Sequence, residues 1–152
     1  GRVIAFQPGK NKPAADDVRG IHVEAISLSH GAAAAGRAEI VNYGYLVTVN
    51  GITLFHSGDI DAAFIGYEAF RSLRLPEKKI DLAFLQHFYL SDVPDERKLI
   101  REGIAAWHII PAHYHYTEPP LNREAVLKNY PEAVLFKAEL QSWVMPQSRK
   151  DR

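Results

Sequence analysis

The chain has 152 residues, the size of one ordinary domain, and its 47% hydrophobic and 24% charged residues are typical of a globular rather than a disordered protein. Eighteen Lys and Arg balance eighteen Asp and Glu, which gives no electrostatic reason to expect nucleic acid or an anionic membrane as a partner. No apolar run approaches the roughly 20 residues that span a bilayer, so we expect a soluble, cytoplasmic protein. Because cysteine is absent, a transition metal would have to be held by carboxylates or by the seven histidines.

The first elements in chain order are predicted to be a strand, a loop and a second strand. RVIAF (2–6) reads as a short strand, and the Pro- and Gly-rich residues 7–20 predict a turn or exposed loop. Residues 21–30 alternate apolar and polar side chains, which indicates a half-buried strand that ends on a histidine. Residues 31–39 fit either a helical turn or a flexible loop, since they contain two glycines.

A β-hairpin is the clearest local prediction. Residues 39–49 and 52–59 are rich in β-formers and are separated by Asn50-Gly51, the dipeptide that most readily supplies the positive φ angles of a type I′ turn. From residue 61 the apolar spacing becomes helical until Pro76, and 80–86 is a continuous apolar run that suits a strand covered on both faces.

The rest of the chain alternates between helices and strands. Residues 95–104 predict a helix, 106–114 a buried strand, 122–130 a helix, and 133–140 a last strand or extended run. Antiparallel strands followed by alternating strands and helices indicate an α/β layered domain, and 1–152 reads as a single domain.

Three predicted strand ends carry side chains that can bind a metal: His30, Asp59 and His113. Ligands bind at the carboxyl ends of the strands in open α/β sheets, so these residues are candidates for one crevice. Imidazole and carboxylate suit Zn, Fe or Mn, and such a metal lowers the pKa of bound water toward roughly 7. Two structural roles stay open: each histidine as a hydrogen-bonded residue, and Asp59 as a turn or helix cap.

The sequence VNYGYLVTVNGITLFHSGDID (41–61), preceded by LSHG (28–31) and followed by WHIIPAHYHY (107–116), resembles the second half of the metallo-β-lactamase fold, in particular its lactonase-like and phosphodiesterase-like metal-dependent hydrolases. The resemblance implies half of an αββα sandwich, a mixed sheet with an N-terminal antiparallel hairpin and flanking helices. It also implies that Asp59 bridges two metals and orients the attacking water, that His30 binds the first metal and that His113 binds the second. The implied reaction is attack of a metal-bound hydroxide on an ester, lactone or phosphodiester.

The family's His-x-His-x-Asp-His motif is absent from the chain. HYHYTE (113–118) has Thr117 and Glu118 where Asp-His is required, so His113 is taken as the late ligand. His115 could line the same pocket, bind substrate or pack, because residues i and i+2 of a strand share a face. His87 follows a buried strand and could orient a phosphate or carbonyl group of a substrate, or lie on the surface.

The missing motif and the absence of an initiator methionine predict a chain that corresponds to the second half alone. We therefore expect partial or absent occupancy by Zn, with Mn or Fe as alternatives, and weak or no hydrolysis by this chain without the first half. A different possibility is a catalytically silent domain that assembles through its exposed sheet face. Burial of apolar sheet is worth roughly 25 cal/mol per Å², so we expect a homodimer in which one copy occupies the place of the missing half.

Overall fold

The computed structural model of the chain describes residues 5–9, 12–29, 41–60, 67–90, 92–113, 122–138 and 140–146. Its sheet consists of β1 (Ala14–Val18), β2 (Ile21–Ser29), β3 (Val41–Val49), β4 (Ile52–His56), β5 (Leu82–Gln86) and β6 (His108–Ala112). The helices are α1 (Tyr67–Ser72), α2 (Pro94–Lys98) and α3 (Arg123–Asn129), with 3-10 turns at Leu75–Lys78 and His87–Leu90 and a π-helical turn at Leu99–Ile104.

The strands lie in the sheet in the order in which they occur in the chain, and their pairing changes once, from antiparallel to parallel. β1 to β4 pair antiparallel, each with the next, whereas β4, β5 and β6 are parallel. Asn50 and Gly51 have φ angles of 50° and 79°, which confirms the predicted hairpin turn. The parallel pairs need long crossovers, and these contain α1 and α2. The predicted mixed α/β sheet with an N-terminal antiparallel hairpin and helices is confirmed.

One face of the sheet forms the core. Leu46, Phe55, Ala83 and Ile109 are register partners across β3 to β6, so their side chains project from the same face, and all four are buried. They pack in one cluster with side chains of α1, α3 and the π-helical turn, including Phe70. Helices therefore cover this face of the sheet.

The opposite face is only half-buried. Its apolar side chains alternate with those of the core along each strand, and six of them are partly exposed: Tyr43, Tyr45, Val47, Leu54, Phe84 and Ile110. Phe6 contacts Tyr45 edge-to-face, with ring centroids 6.3 Å apart, and Trp143 contacts His108 in the same way at 5.1 Å. Segments near both ends of the chain thus touch this face. No helix among the described residues combines the length and apolar character needed to cross a membrane.

Several local predictions need correction. Residues 7–20 contain β1 as well as a loop, because Arg19 and Gly20 adopt positive φ angles of 52° and 83° and turn the chain into an antiparallel pair with β2. Residues 5 and 6, the described part of the predicted strand 2–6, do not lie in a strand. Residues 133–138 do not form a strand either: only Ala133 bridges β6, and Arg123 donates hydrogen bonds to the carbonyls of residues 135 and 136.

The helix predictions are right in part. Residues 61–66 and 31–39 lie outside the described residues. α1 ends at Ser72, and Pro76 lies inside a following 3-10 turn instead of ending the helix. The helix predicted for 95–104 continues from α2 into the π-helical turn. The helix predicted for 122–130 is α3, and Asn122 is its N-cap, whose Oδ1 accepts a hydrogen bond from the Ala125 N–H at 3.1 Å.

Candidate metal site

Two of the three predicted metal ligands meet at the carboxyl edge of the parallel strands. Asp59 follows β4 and His113 follows β6, and the aspartate Oδ1 lies 3.6 Å from the histidine Nδ1. Both side chains reach solvent, with 48% and 59% of their surfaces exposed. The third predicted ligand, His30, lies outside the described residues, as does His115. The structure therefore brings together Asp59 and His113, from two strands that are separated in the sheet by β5.

The turn after β4 is held in place by Asn42 of β3. Asn42 Oδ1 accepts a hydrogen bond from the backbone N–H of Asp59 at 2.8 Å, and its Nδ2 donates to the carbonyl of Ser57 at 3.2 Å. Gly58 lies between them with φ 66°, and a Cβ there would meet Asn42 Oδ1 and the Tyr43 carbonyl oxygen at 2.4 Å. Only glycine fits this turn, which sets the backbone position of Asp59.

His56, the last residue of β4, also supports the turn. Its Nδ1 accepts a hydrogen bond from the Gly58 N–H at 2.9 Å, and its ring stacks on Phe84 of β5 with centroids 6.0 Å apart. An acceptor Nδ1 carries no hydrogen, so the neutral ring has its hydrogen on Nε2. These contacts give His56 a structural role in the turn after β4.

Gln86, the last residue of β5, lies between the strands that position Asp59 and His113, and sequence reasoning did not single it out. Its side chain is only 1% exposed, and its Nε2 donates a hydrogen bond to Asp59 Oδ1. Its Oε1 is buried and has no hydrogen-bond partner in the described part of the chain. A buried acceptor without a partner costs about 1–3 kcal/mol, so this side chain is held in place at the expense of stability. The available signal was a polar residue that closes an otherwise apolar strand, LAFLQ.

His87 contacts the backbone of His113. The distance from His87 Nδ1 to the His113 carbonyl oxygen is 3.0 Å, and because a carbonyl only accepts, Nδ1 is the donor. His113 itself has φ 61°, a left-handed conformation that is uncommon for residues other than glycine. The hydrogen bond from His87 thus restrains a ligand candidate at a position with an unfavourable backbone. The role of His87 in substrate binding stays a prediction.

The donor set of the pair fits a divalent metal. Zinc binds imidazole nitrogen and carboxylate oxygen at about 2.0–2.1 Å, so two such donors at a tetrahedral angle lie about 3.4 Å apart. The 3.6 Å between Asp59 Oδ1 and His113 Nδ1 is close to that separation. Within the described ranges no third His, Asp or Glu joins them in a metal-binding group. These two donors alone are fewer than the three protein ligands that catalytic zinc usually has.

Comparison with known proteins finds likeness among solved structures. No protein-family profile matches the sequence, and no curated protein does. A solved structure from Thermotoga maritima, described as a candidate Zn-dependent hydrolase of the metallo-β-lactamase superfamily, is similar to this chain with 22% identity and a TM-score of 0.47. The match covers 84% of this chain and 58% of that one. The chain therefore spans less than two thirds of the length of the structure that it matches.

Proposed function

We propose that this chain contributes Asp59, His113 and His30 to the metal site of a hydrolase that cleaves esters, lactones or phosphodiesters. The observation that carries the proposal is the 3.6 Å separation of Asp59 Oδ1 and His113 Nδ1 at the carboxyl edge of the sheet. A purely structural ion pair would also explain the contact between Asp59 and His113. It would not explain why the buried amide of Gln86 beside them has a hydrogen bond at Nε2 but none at Oε1 in the described structure.

The direction of the strands favours His30 as the third ligand. β2 and β4 both pair antiparallel with β3, so they run in the same direction and their carboxyl ends lie at the same edge of the sheet. His30 directly follows Ser29, the last residue of β2. Leu28 of β2 is the register partner of Asn42, which holds Asp59 in place. Adjacent strands are about 4.8 Å apart, so the end of β2 is close enough to the site for a residue that follows β2 to contribute a ligand.

In this proposal the metal is zinc, with manganese or iron as alternatives for the same N and O donors. A bound metal supplies Lewis acidity, which activates water near neutral pH and stabilises the negative charge that develops on a substrate oxygen. Asp59 and His113 would hold the metal. Asn42 positions the backbone of Asp59, Gln86 contacts its carboxylate, and His87 restrains the backbone of His113 and is the proposed contact to a substrate. With so few ligands, the chain by itself is expected to bind metal weakly and to hydrolyse slowly, or not at all.

Metal titration of single-residue variants tests the proposal. Asp59→Asn and His113→Ala should each weaken Zn²⁺ binding by at least about tenfold in isothermal titration calorimetry. His22→Ala is the matched control, because His22 also forms an exposed histidine–aspartate contact, with Asp17 at 3.0 Å, at the other end of β2. Equal affinity in all four proteins would refute the site, and two equivalents of metal per chain would refute the incomplete ligand set. Hydrolysis of nitrophenyl esters and phosphodiesters with Zn²⁺ present then measures the activity.

The half-exposed sheet face favours a second candidate, a catalytically silent domain that assembles with another copy of itself through that face. The face carries aromatic and aliphatic side chains, among them Tyr45, Val47 and Phe84, which a second copy would bury. Size exclusion with light scattering should then give a dimer at micromolar concentration. Val47→Glu should give a monomer, because a dimer would bury the carboxylate without a partner. A monomeric wild-type chain would count against this candidate.

A further inference from the structure

The amide of Gln86 occupies the position between the two proposed metal ligands. β5 lies between β4 and β6 in the sheet, and Gln86 is its last residue. Asp59 follows β4 on one side and His113 follows β6 on the other. Its side chain reaches Asp59 Oδ1, the same oxygen that faces His113 Nδ1. Three side chains from three neighbouring parallel strands therefore converge on one point. Only two of them belong to the residue types that are most often counted as metal ligands.

We propose that the side-chain oxygen of Gln86 is a further ligand of the metal, an inference that rests on the proposed function. Asparagine and glutamine carbonyl oxygens bind hard divalent cations in proteins, and they complement the carboxylate and imidazole already present. The side chain of Gln86 is buried, so a metal would be held by a side chain that the sheet has already ordered. A buried and preordered donor loses little conformational entropy when it binds.

The unpartnered oxygen of Gln86 is the second observation that points to a cation. Nε2 donates to Asp59 Oδ1, which leaves Oε1 buried without a hydrogen bond in the described structure. A half-turn of the amide exchanges the two atoms without a change in volume and directs Oε1 toward Asp59. Two oxygens that face each other repel, unless a cation lies between them. The amide therefore suits both states: it donates to the carboxylate without metal and ligates together with it when metal is bound.

Two substitutions at Gln86 separate ligation from a structural role. Gln86→Met keeps the length of the side chain and removes both polar atoms, so the fold should keep its stability while Zn²⁺ affinity falls by at least about tenfold. Gln86→Glu keeps an oxygen donor and adds a negative charge, so Zn²⁺ affinity should rise by at least about tenfold, and the metal-free chain should be less stable because two carboxylates meet. Calorimetry gives the affinities and urea unfolding gives the stabilities.

Nuclear magnetic resonance of the ¹⁵N-labelled chain reports on the amide directly. The side-chain NH₂ signal that is missing from Gln86→Met identifies Gln86, and this signal should shift on addition of Zn²⁺ with the stoichiometry of binding. The inference is overturned if wild type and Gln86→Met bind Zn²⁺ equally while Asp59→Asn and His113→Ala do not, or if the Gln86 signal does not move. Either result leaves the proposed site intact. Failure of the wild-type chain to bind Zn²⁺ at all overturns both proposals.

Discussion

Replacement of Gly58 by alanine should damage the fold more than replacement of Gly51, although both glycines have positive φ angles, 66° and 79°. An alanine in the left-handed region costs roughly 1–2 kcal/mol at either position. At Gly51 a Cβ would meet no atom within 4 Å, so no further cost is expected. At Gly58 it would meet the Tyr43 carbonyl oxygen, which is backbone, and Asn42 Oδ1, each at 2.4 Å. Steric crowding of this kind adds roughly 1–3 kcal/mol.

Urea unfolding of the two variants measures the difference. Gly51→Ala should lose about 1–2 kcal/mol and Gly58→Ala about 2–5 kcal/mol of unfolding free energy. The entropy that alanine removes from the unfolded chain is the same in both variants and cancels in the comparison. With a urea m-value of about 1–3 kcal/mol per molar, the unfolding midpoint of Gly58→Ala should lie about 1 M below that of Gly51→Ala. Equal midpoints would show that the turn relaxes freely, and would refute the fixed position of the Asp59 backbone.

Substitutions at three further residues test other parts of the structure. Tyr130 is fully buried, and its pKa is raised from 10.0 to about 12, mainly by desolvation and then by the nearby charge of Glu96. The neutral phenol therefore contributes fully to folding stability below pH 10, and this contribution is lost as the pH rises toward about 12. Wild type should lose about 1.4 kcal/mol between pH 9 and 11 from this group, a loss that is absent from the pH–stability curve of Tyr130→Phe. Asn122→Ala should cost about 1 kcal/mol in thermal or urea unfolding, and Asn122→Asp much less, because only a side-chain oxygen caps α3. Asp81→Ala should cost about 1–3 kcal/mol in urea unfolding, since Asp81 Oδ2 accepts from the Thr53 N–H at 2.8 Å; a loss below about 0.5 kcal/mol would show that water replaces the carboxylate.

The sequence was informative where a local pattern determines the structure. The Asn50-Gly51 turn, the apolar run that becomes β5 and the cap at Asn122 all depend on residues close together in the chain. Strand ends were also identifiable, and Asp59 and His113 do meet in space. Their meeting follows from the general rule that parallel strands share a carboxyl edge.

The rest depends on partners that are distant in the chain. β1 has the sequence AADDV, which has little strand propensity of its own. It forms a strand because it pairs with the edge of β2. Residues 133–138 have a strand-like sequence, but in the described structure they meet β6 only around Ala133, where the Val134 N–H donates to the Ile109 carbonyl at 2.7 Å. The next carbonyls, of residues 135 and 136, accept hydrogen bonds from Arg123. Gln86 shows the same limit at the site, because its importance comes from its position between Asp59 and His113 and not from its residue type.

The change from antiparallel to parallel pairing at β4 separates the chain into parts that should fold at different speeds. Two-residue turns connect β1 to β2 and β3 to β4, so these pairs form through contacts that are close in sequence. The pairing of β4, β5 and β6 has to wait for crossovers of many residues, and the carboxyl edge exists only after both have closed. An ion that binds at that edge would therefore bind the native state and not the folding transition state, in which the site has not yet formed. We expect such an ion to slow unfolding in stopped-flow experiments and to leave the refolding rate unchanged.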